Sequence, residues 1–149
     1  ANPSAGTSPL TYNDVAIRRA PLAWASATAS ADGVARAYLP FAASGQFEGA
    51  TLLKAETLEA VHARQSWSTC DETLNKPLGW SQGFLKEQRH VFCPNTQSYG
   101  HAGMGGALGW CDPVAEVAIG YVVNNMDWRV RSPRITNLCH ALYDSAPLC

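Results

Sequence analysis

The segment Tyr99-Gly100-His101-Ala102-Gly103-Met104-Gly105-Gly106 holds the residues best suited to chemistry. Four glycines within residues 100–106 let a backbone approach a bound group closely. His101 adds an imidazole that can donate, accept or carry a proton near neutral pH. The run is not a Walker A loop, because no Gly-Lys-Ser/Thr follows, and it lacks the G-x-G-x-x-G order and the βαβ unit of a dinucleotide site. Read alone, it is a tightly packed strand corner, or a corner whose backbone N–H groups take a small anion or carboxylate with help from His101.

Other residue types with chemical potential are less well placed. Cys93 and Cys111 flank the segment, but each has an apolar neighbour and neither has an obvious group to stabilise a thiolate, so both read as buried thiols. His62 and His140 fall on helical patterns as packing or surface residues, and His90 lies in a charged turn. The five cysteines, Cys70, Cys93, Cys111, Cys139 and Cys149, form no C-x-x-C pair and no zinc-ligand spacing. An odd, scattered set reads as free thiols, with a disulfide from Cys149 left open. No metal or cofactor site is expected.

The elements that must hold this corner follow from periodicity. Residues 1–29 read as an irregular lead-in, broken by Pro3, Gly6, Pro9 and Pro21. A helix is predicted over about 30–44, capped by Ser30, with Asp32 in its first turn and Gly45 at its end. Pro40 inside it should kink or shorten it. A link over 46–53 leads to a second helix over about 55–64, with Leu58 and Val61 on its inner side. Residues 66–76 read as loop. Leu78, Trp80, Phe84 and Leu85, punctuated by Gly79 and Gly83, suggest a bent or bulged strand. Residues 99–103 extend into a glycine-rich end, 107–111 form the next strand, and 117–123 a buried, β-branched one. The turn signal Asp112-Pro113 makes the last two an antiparallel hairpin. A final helix opens at Ser132 (N-cap) and Pro133 (N1), with Ile135, Leu138, Cys139 and Leu142 on one face. The reading is α/β (α+β): helix, helix, three antiparallel strands, helix.

Composition narrows the function classes. The chain has 149 residues, 46% apolar and 15% charged, enough for one domain with a packed core over 1–149. A formal net charge of -1 argues against a phosphate-binding face, so no nucleic acid partner is expected. The one dense basic stretch, Arg129, Arg131 and Arg134, has Asp127 beside it and reads as a solvated or salt-bridged turn. No apolar run approaches the roughly 20 residues of a membrane span. Residues 1–10 show no signal-peptide pattern, so the chain reads as soluble with its compartment open.

Several motifs in order resemble one family. Val91-Phe92-Cys93-Pro94-Asn95, Gly100-His101-Ala102-Gly103, Gly105-Gly106-Ala107-Leu108-Gly109-Trp110-Cys111-Asp112-Pro113 and Ala118-Ile119-Gly120-Tyr121-Val122-Val123-Asn124-Asn125-Met126 closely resemble the C-terminal half of class C β-lactamases and related esterases. Upstream, 32–38 is similar to that superfamily's G-x-A-R helix, 49–58 to its G-x-x-L-L-x-x-E-T-L link, and 134–143 to its terminal helix. The resemblance spans roughly residues 20–144. It implies the C-terminal part of a DD-peptidase/β-lactamase-like fold and an acyl-serine mechanism. His101 would stand in the H-x-G (or K-T-G) triplet on an inner strand, lining the pocket and polarising the substrate's carboxylate or the reaction centre. The Met104 backbone N–H would be one of two donors to the oxyanion. Tyr99, Gly103 and Gly105 would border the substrate, a small ester or amide.

The family's nucleophile is a serine with lysine three residues on, and no serine in these residues has one. Tyr12-Asn13-Asp14 does not match the Y-x-N motif and lies too close to His101 in sequence. The chain therefore reads as the C-terminal portion of a serine hydrolase, expected to be inactive unless completed by an N-terminal half or complementing fragment. The competing reading is a non-catalytic scaffold, derived from a truncated hydrolase, that binds or self-associates as a homo-oligomer.

Overall fold

The computed structural model describes residues 12–23, 27–86 and 91–145. The chain forms two compact units, Ala1–Ser30 and Ala31–Cys149. In the first unit a short helix, α1 (Val15–Arg19), interrupts the stretch expected to be irregular. The second unit carries α2 (Ala31–Ala42), β1 (Gln46–Phe47), β2 (Ala50–Thr51), α3 (Ala55–His62), β3 (Ser66–Ser68), β4 (Leu78–Trp80), β5 (Leu85–Lys86), β6 (Tyr99–Ala102), β7 (Leu108–Asp112), β8 (Val117–Tyr121) and α4 (Pro133–Ser145).

The strands β3 to β8 form one six-stranded antiparallel sheet in sequence order, where the sequence suggested three strands. Two differences account for the larger sheet. The bent strand over 78–85 is two strands joined by a tight turn, with Trp80 opposite Leu85 and Gly83 at φ 90. The expected loop over 66–76 begins with β3, whose Trp67 pairs with Gly79. The link over 46–53 is also a hairpin, β1–β2, turning at Glu48 and Gly49 with φ of 49 and 81. Both central residues of such a two-residue turn need positive φ.

Two cores cover the two faces of the sheet. On one face α2 and α3 pack over Tyr99 and Cys111, with Tyr38, Phe41 and Phe84 around them. Glycines make this docking possible: a Cβ on Gly109 would lie 2.2 Å from Tyr38 Cε2, and one on Gly120 would lie 2.1 Å from the Ala31 carbonyl oxygen. The helix therefore rests directly on the backbone of β7 and β8. It runs through Pro40 to Ala42 rather than breaking early, and Pro40 is buried. Its C-terminal end is closed by Gly45, whose N–H donates to the Pro40 carbonyl at 2.7 Å.

On the other face α4 covers Leu78, Leu85, Phe92, Leu108 and Trp110. Trp110 and Phe92 are fully buried, with ring centroids 5.0 Å apart. Each side chain of this size contributes roughly 1.5–3 kcal/mol through burial. The buried stripe of α4 is Ile135 and Cys139, continued by Tyr143, whereas Leu138, expected inside, is 51% exposed. Residues i, i+4 and i+8 lie along one slowly turning line, and a single sheet contact needs no wider stripe. Ser132 precedes Pro133 as expected, and its carbonyl accepts from the N–H groups of Ile135 and Thr136.

Candidate active site

Strand β6 brings His101 to the end of the sheet. Its Cα partner on β7 is Gly109, so no side chain opposes the imidazole across the strands. The imidazole has an exposed edge, and the Trp80 ring lies beside it at 6.2 Å between centroids. Desolvation by these surroundings lowers the His101 pKa from the ordinary histidine value, so the neutral imidazole is the form present at neutral pH.

After Ala102 the chain makes a tight turn. The Gly103 N–H donates to the Ala107 carbonyl at 2.9 Å, and the Gly106 N–H donates to the Gly103 carbonyl at 3.2 Å. Gly105 and Gly106 have φ of 115 and 98, a region closed to most side chains. Met104 occupies the outer corner of this turn and is 57% exposed. Its backbone N–H makes no hydrogen bond to another described residue. The turn thus places a backbone donor beside the strand end that carries His101, while Gly105 and Gly106 pack against Met126, Asp127 and Ser132.

The residues expected to border the substrate divide. Gly103 and Gly105 lie in the turn. Tyr99 lies in the core instead: it has no exposed surface, and its ring packs against Phe41, Phe84 and His62. Strand alternation puts Tyr99 and His101 on the same face. The two helices cover that face over Tyr99, while His101 keeps an exposed edge.

Cys93 and Cys111 are both fully enclosed, and burial raises both thiols, Cys111 to about 12. Cys93 donates to Asp112 Oδ2 at 2.9 Å and so belongs to a structural network. His62 sits against Tyr99 with its Nε2 buried and unpartnered among the described residues, its pKa lowered by burial and by the nearby Lys86. Cys139 is buried and Cys70 exposed. Among the described residues no group of His, Cys, Asp or Glu could hold a metal ion, and no helix is long and apolar enough to cross a membrane.

Sequence reasoning passed over Asp127. Its N–H donates to the Gly105 carbonyl at 2.8 Å, and its carboxylate accepts the Ser132 hydroxyl at 2.7 Å. The nearby basic residues suggested only a solvated or salt-bridged turn, and Asp127 pairs with Arg129 Nε at 3.3 Å. The other two arginines donate to backbone: Arg131 to the Pro77 carbonyl and Arg134 to the Asn125 carbonyl.

The family model described as Beta-lactamase matches residues 2–141. This chain belongs to the beta-lactamase family. A curated relative, the esterase/beta-lactamase LipL of Mycobacterium tuberculosis, is 29% identical over 102 residues, which cover 68% of this chain and 23% of LipL. A penicillin-binding protein homologue from Caulobacter crescentus superposes with a TM-score of 0.74 at 28% identity, covering 79% of this chain and 32% of its own. EstA from Arthrobacter nitroguajacolicus gives 0.71 at 31% identity, covering 89% and 36%. A family VIII carboxylesterase gives 0.71 at 29% identity, covering 76% and 31%. The chain thus spans about a quarter of the length of the curated relative and about a third of these solved chains. Its mixed α/β architecture is that of the β-lactamase-like fold.

Proposed function

We propose that this chain forms one wall of an ester-hydrolysing site that works through an acyl-serine. The observation that carries the reading is the Met104 N–H, without a hydrogen-bond partner among the described residues, at a glycine turn beside His101. In this mechanism a serine outside these 149 residues attacks the ester carbonyl carbon, and the carbonyl π pair moves to oxygen. The Met104 N–H donates to that oxyanion. The bond to the alcohol oxygen then breaks, the alcohol leaves with a proton, and water hydrolyses the acyl-serine. Removing one such donor costs about 10²–10³ in kcat in well-studied cases. The neutral imidazole of His101 supplies a further hydrogen bond to the substrate and lines the pocket with Gly103 and Gly105.

A neutral ester fits this wall better than an anionic substrate. Arg129 is paired with Asp127, and desolvation disfavours the imidazolium of His101. Met104 and Met126, each 57% exposed, add apolar surface. Turnover of p-nitrophenyl butyrate by the intact hydrolase carrying this segment tests the reading. His101→Ala should lower kcat/KM at least about tenfold, the loss expected when one charge-stabilising contact goes. Unchanged kinetics in His101→Ala would remove His101 from the site.

A second reading, a self-associating scaffold, draws support from β8. This strand ends the sheet, pairs only with β7 among the described residues, and is half-exposed along its length. An open edge of this kind pairs readily with another strand. The same edge suits a complementing part of the hydrolase. Equilibrium sedimentation of the isolated chain separates the two: a concentration-dependent dimer favours the scaffold, a monomer the complementing part.

A further inference from the structure

The turn that carries Met104 does not stand alone. Behind it lies the segment between β8 and α4, and three side chains of that segment, Met126, Asp127 and Ser132, face the turn. A Cβ added to Gly106 would lie 3.6 Å from Ser132 Cβ and 3.7 Å from Asp127 Cβ. The Asp127 N–H donates to the Gly105 carbonyl at 2.8 Å, the hydrogen bond that ties segment to turn. Two further groups hold Asp127 itself. Its Oδ2 accepts from the Ser132 hydroxyl at 2.7 Å, and its Oδ1 accepts from the Arg129 N–H at 3.2 Å. Arg129 Nε stands 3.3 Å from the same oxygen, and the Asp127 side chain is only 7% exposed. Ser132 is fully buried, and its carbonyl opens the hydrogen-bond ladder of α4. A continuous chain of bonds therefore runs from the first turn of α4, through Ser132 and Asp127, to the Gly105 carbonyl next to Met104.

The need for such a tie follows from the turn's own composition. Glycines carry the largest conformational entropy of any residue, and Gly105 and Gly106 would sample many orientations if unrestrained. Donors stabilise an oxyanion effectively only when fixed before the reaction. We propose that Asp127 and Ser132 are positioning residues: together they fix the 103–106 turn and so set the direction of the Met104 N–H. The catalytic consequence rests on the role given to Met104 above; the restraint on the turn does not.

Two measurements on the intact hydrolase keep these separable. The first is residue-resolved amide exchange in wild type, Asp127→Ala, Asp127→Asn and Ser132→Ala. The Asp127 amide should exchange at least about tenfold faster in Asp127→Ala (read at the new alanine) and in Ser132→Ala, while the Cys139 amide within α4 stays within about twofold. General destabilisation would move both together. The second is turnover of p-nitrophenyl butyrate. In Asp127→Ala and Ser132→Ala, kcat should fall about tenfold or more with KM nearly unchanged, the split expected for a misaimed transition-state donor. Asp127→Asn, which keeps an acceptor for Ser132, should recover most of the loss. Unaltered exchange at residue 127 would overturn the proposal, and so would faster exchange with kcat intact. If the wild-type enzyme turns over no ester, the role of Met104 fails, and the exchange data alone decide whether the tie holds the turn.

Discussion

Replacing Asp112 with asparagine should destabilise the fold by about 3 kcal/mol. Asp112 has no exposed surface and closes β7. Its Oδ2 accepts from Cys93 Sγ at 2.9 Å, Asn95 Nδ2 at 2.7 Å and the Tyr143 hydroxyl at 2.8 Å. Its Oδ1 accepts from the N–H groups of Val114 at 3.0 Å and Ala115 at 3.2 Å. Burial alone would raise its pKa, but these donors prevail and hold it below the ordinary aspartate value. An asparagine side chain of the same shape has one acceptor oxygen. In its better orientation the amide NH₂ faces Val114 and Ala115, so two backbone donors lose their acceptor. Each buried donor left without a partner costs about 1–3 kcal/mol, and the charge-assisted bonds that remain become neutral and weaker. Val114 is 51% exposed and water can reach its N–H, so the cost falls mainly on the Ala115 N–H and on the weakened bonds at Oδ2. A domain has about 5–15 kcal/mol in total, so the change is large but survivable. Equilibrium urea unfolding followed by tryptophan fluorescence reads it, since Trp110 lies in the same core. Tyr143→Phe should cost only about 1 kcal/mol, because the carboxylate keeps its other donors. The double variant should cost less than the two singles together. A loss below about 1 kcal/mol for Asp112→Asn would refute the view that this network ties α4 to the sheet.

Three further outcomes are expected. Gly120→Ala should cost more stability than Gly109→Ala, because the new methyl meets the Ala31 backbone oxygen in the first case and a movable Tyr38 ring in the second; both thermal midpoints read this, and equal losses would contradict it. Stability should fall with acid. His62 and His101 have lowered pKa values in the fold, so the unfolded chain binds more protons below about pH 6.5, the full contribution is present above that value, and it is lost as the pH falls. The urea midpoint should drop between pH 7.5 and 5.5 and drop less in His62→Phe. Native-state alkylation should modify Cys70 while Cys93, Cys111 and Cys139 stay protected until unfolding, as peptide mapping would show.

The helices and the later strands were legible because their signals are local. The apolar spacing of α4, the Pro133 start and the β-branched run of β8 each act within a few residues. The short strands were not. Ser66–Ser68 is polar with one half-exposed Trp67, and it becomes a strand only because β4 lies alongside. Glu48-Gly49 is not among the usual hairpin pairs, so the β1–β2 turn gave no cue. At the site, the glycines after His101 form a tight turn that places the Met104 N–H next to the end of β6. Tyr99 looked like a pocket residue from its place beside His101, and only the packing of α2 and α3 reveals it as core. Asp112 read as a turn signal, which its Oδ1 fulfils. Its second oxygen gathers partners 17 to 31 residues away in sequence, a distance no local pattern reports. Asp127 was hidden in the same way, as one charge among arginines.

The most direct test of the central claim is covalent labelling with a fluorophosphonate, followed by intact mass and peptide mapping, on the purified 149-residue chain and on the complete hydrolase proposed above. The account expects no adduct on the chain alone, and one adduct per molecule on a serine outside these residues in the hydrolase, formed more slowly when His101 is replaced. A stoichiometric adduct on any residue of the 149-residue chain would contradict it.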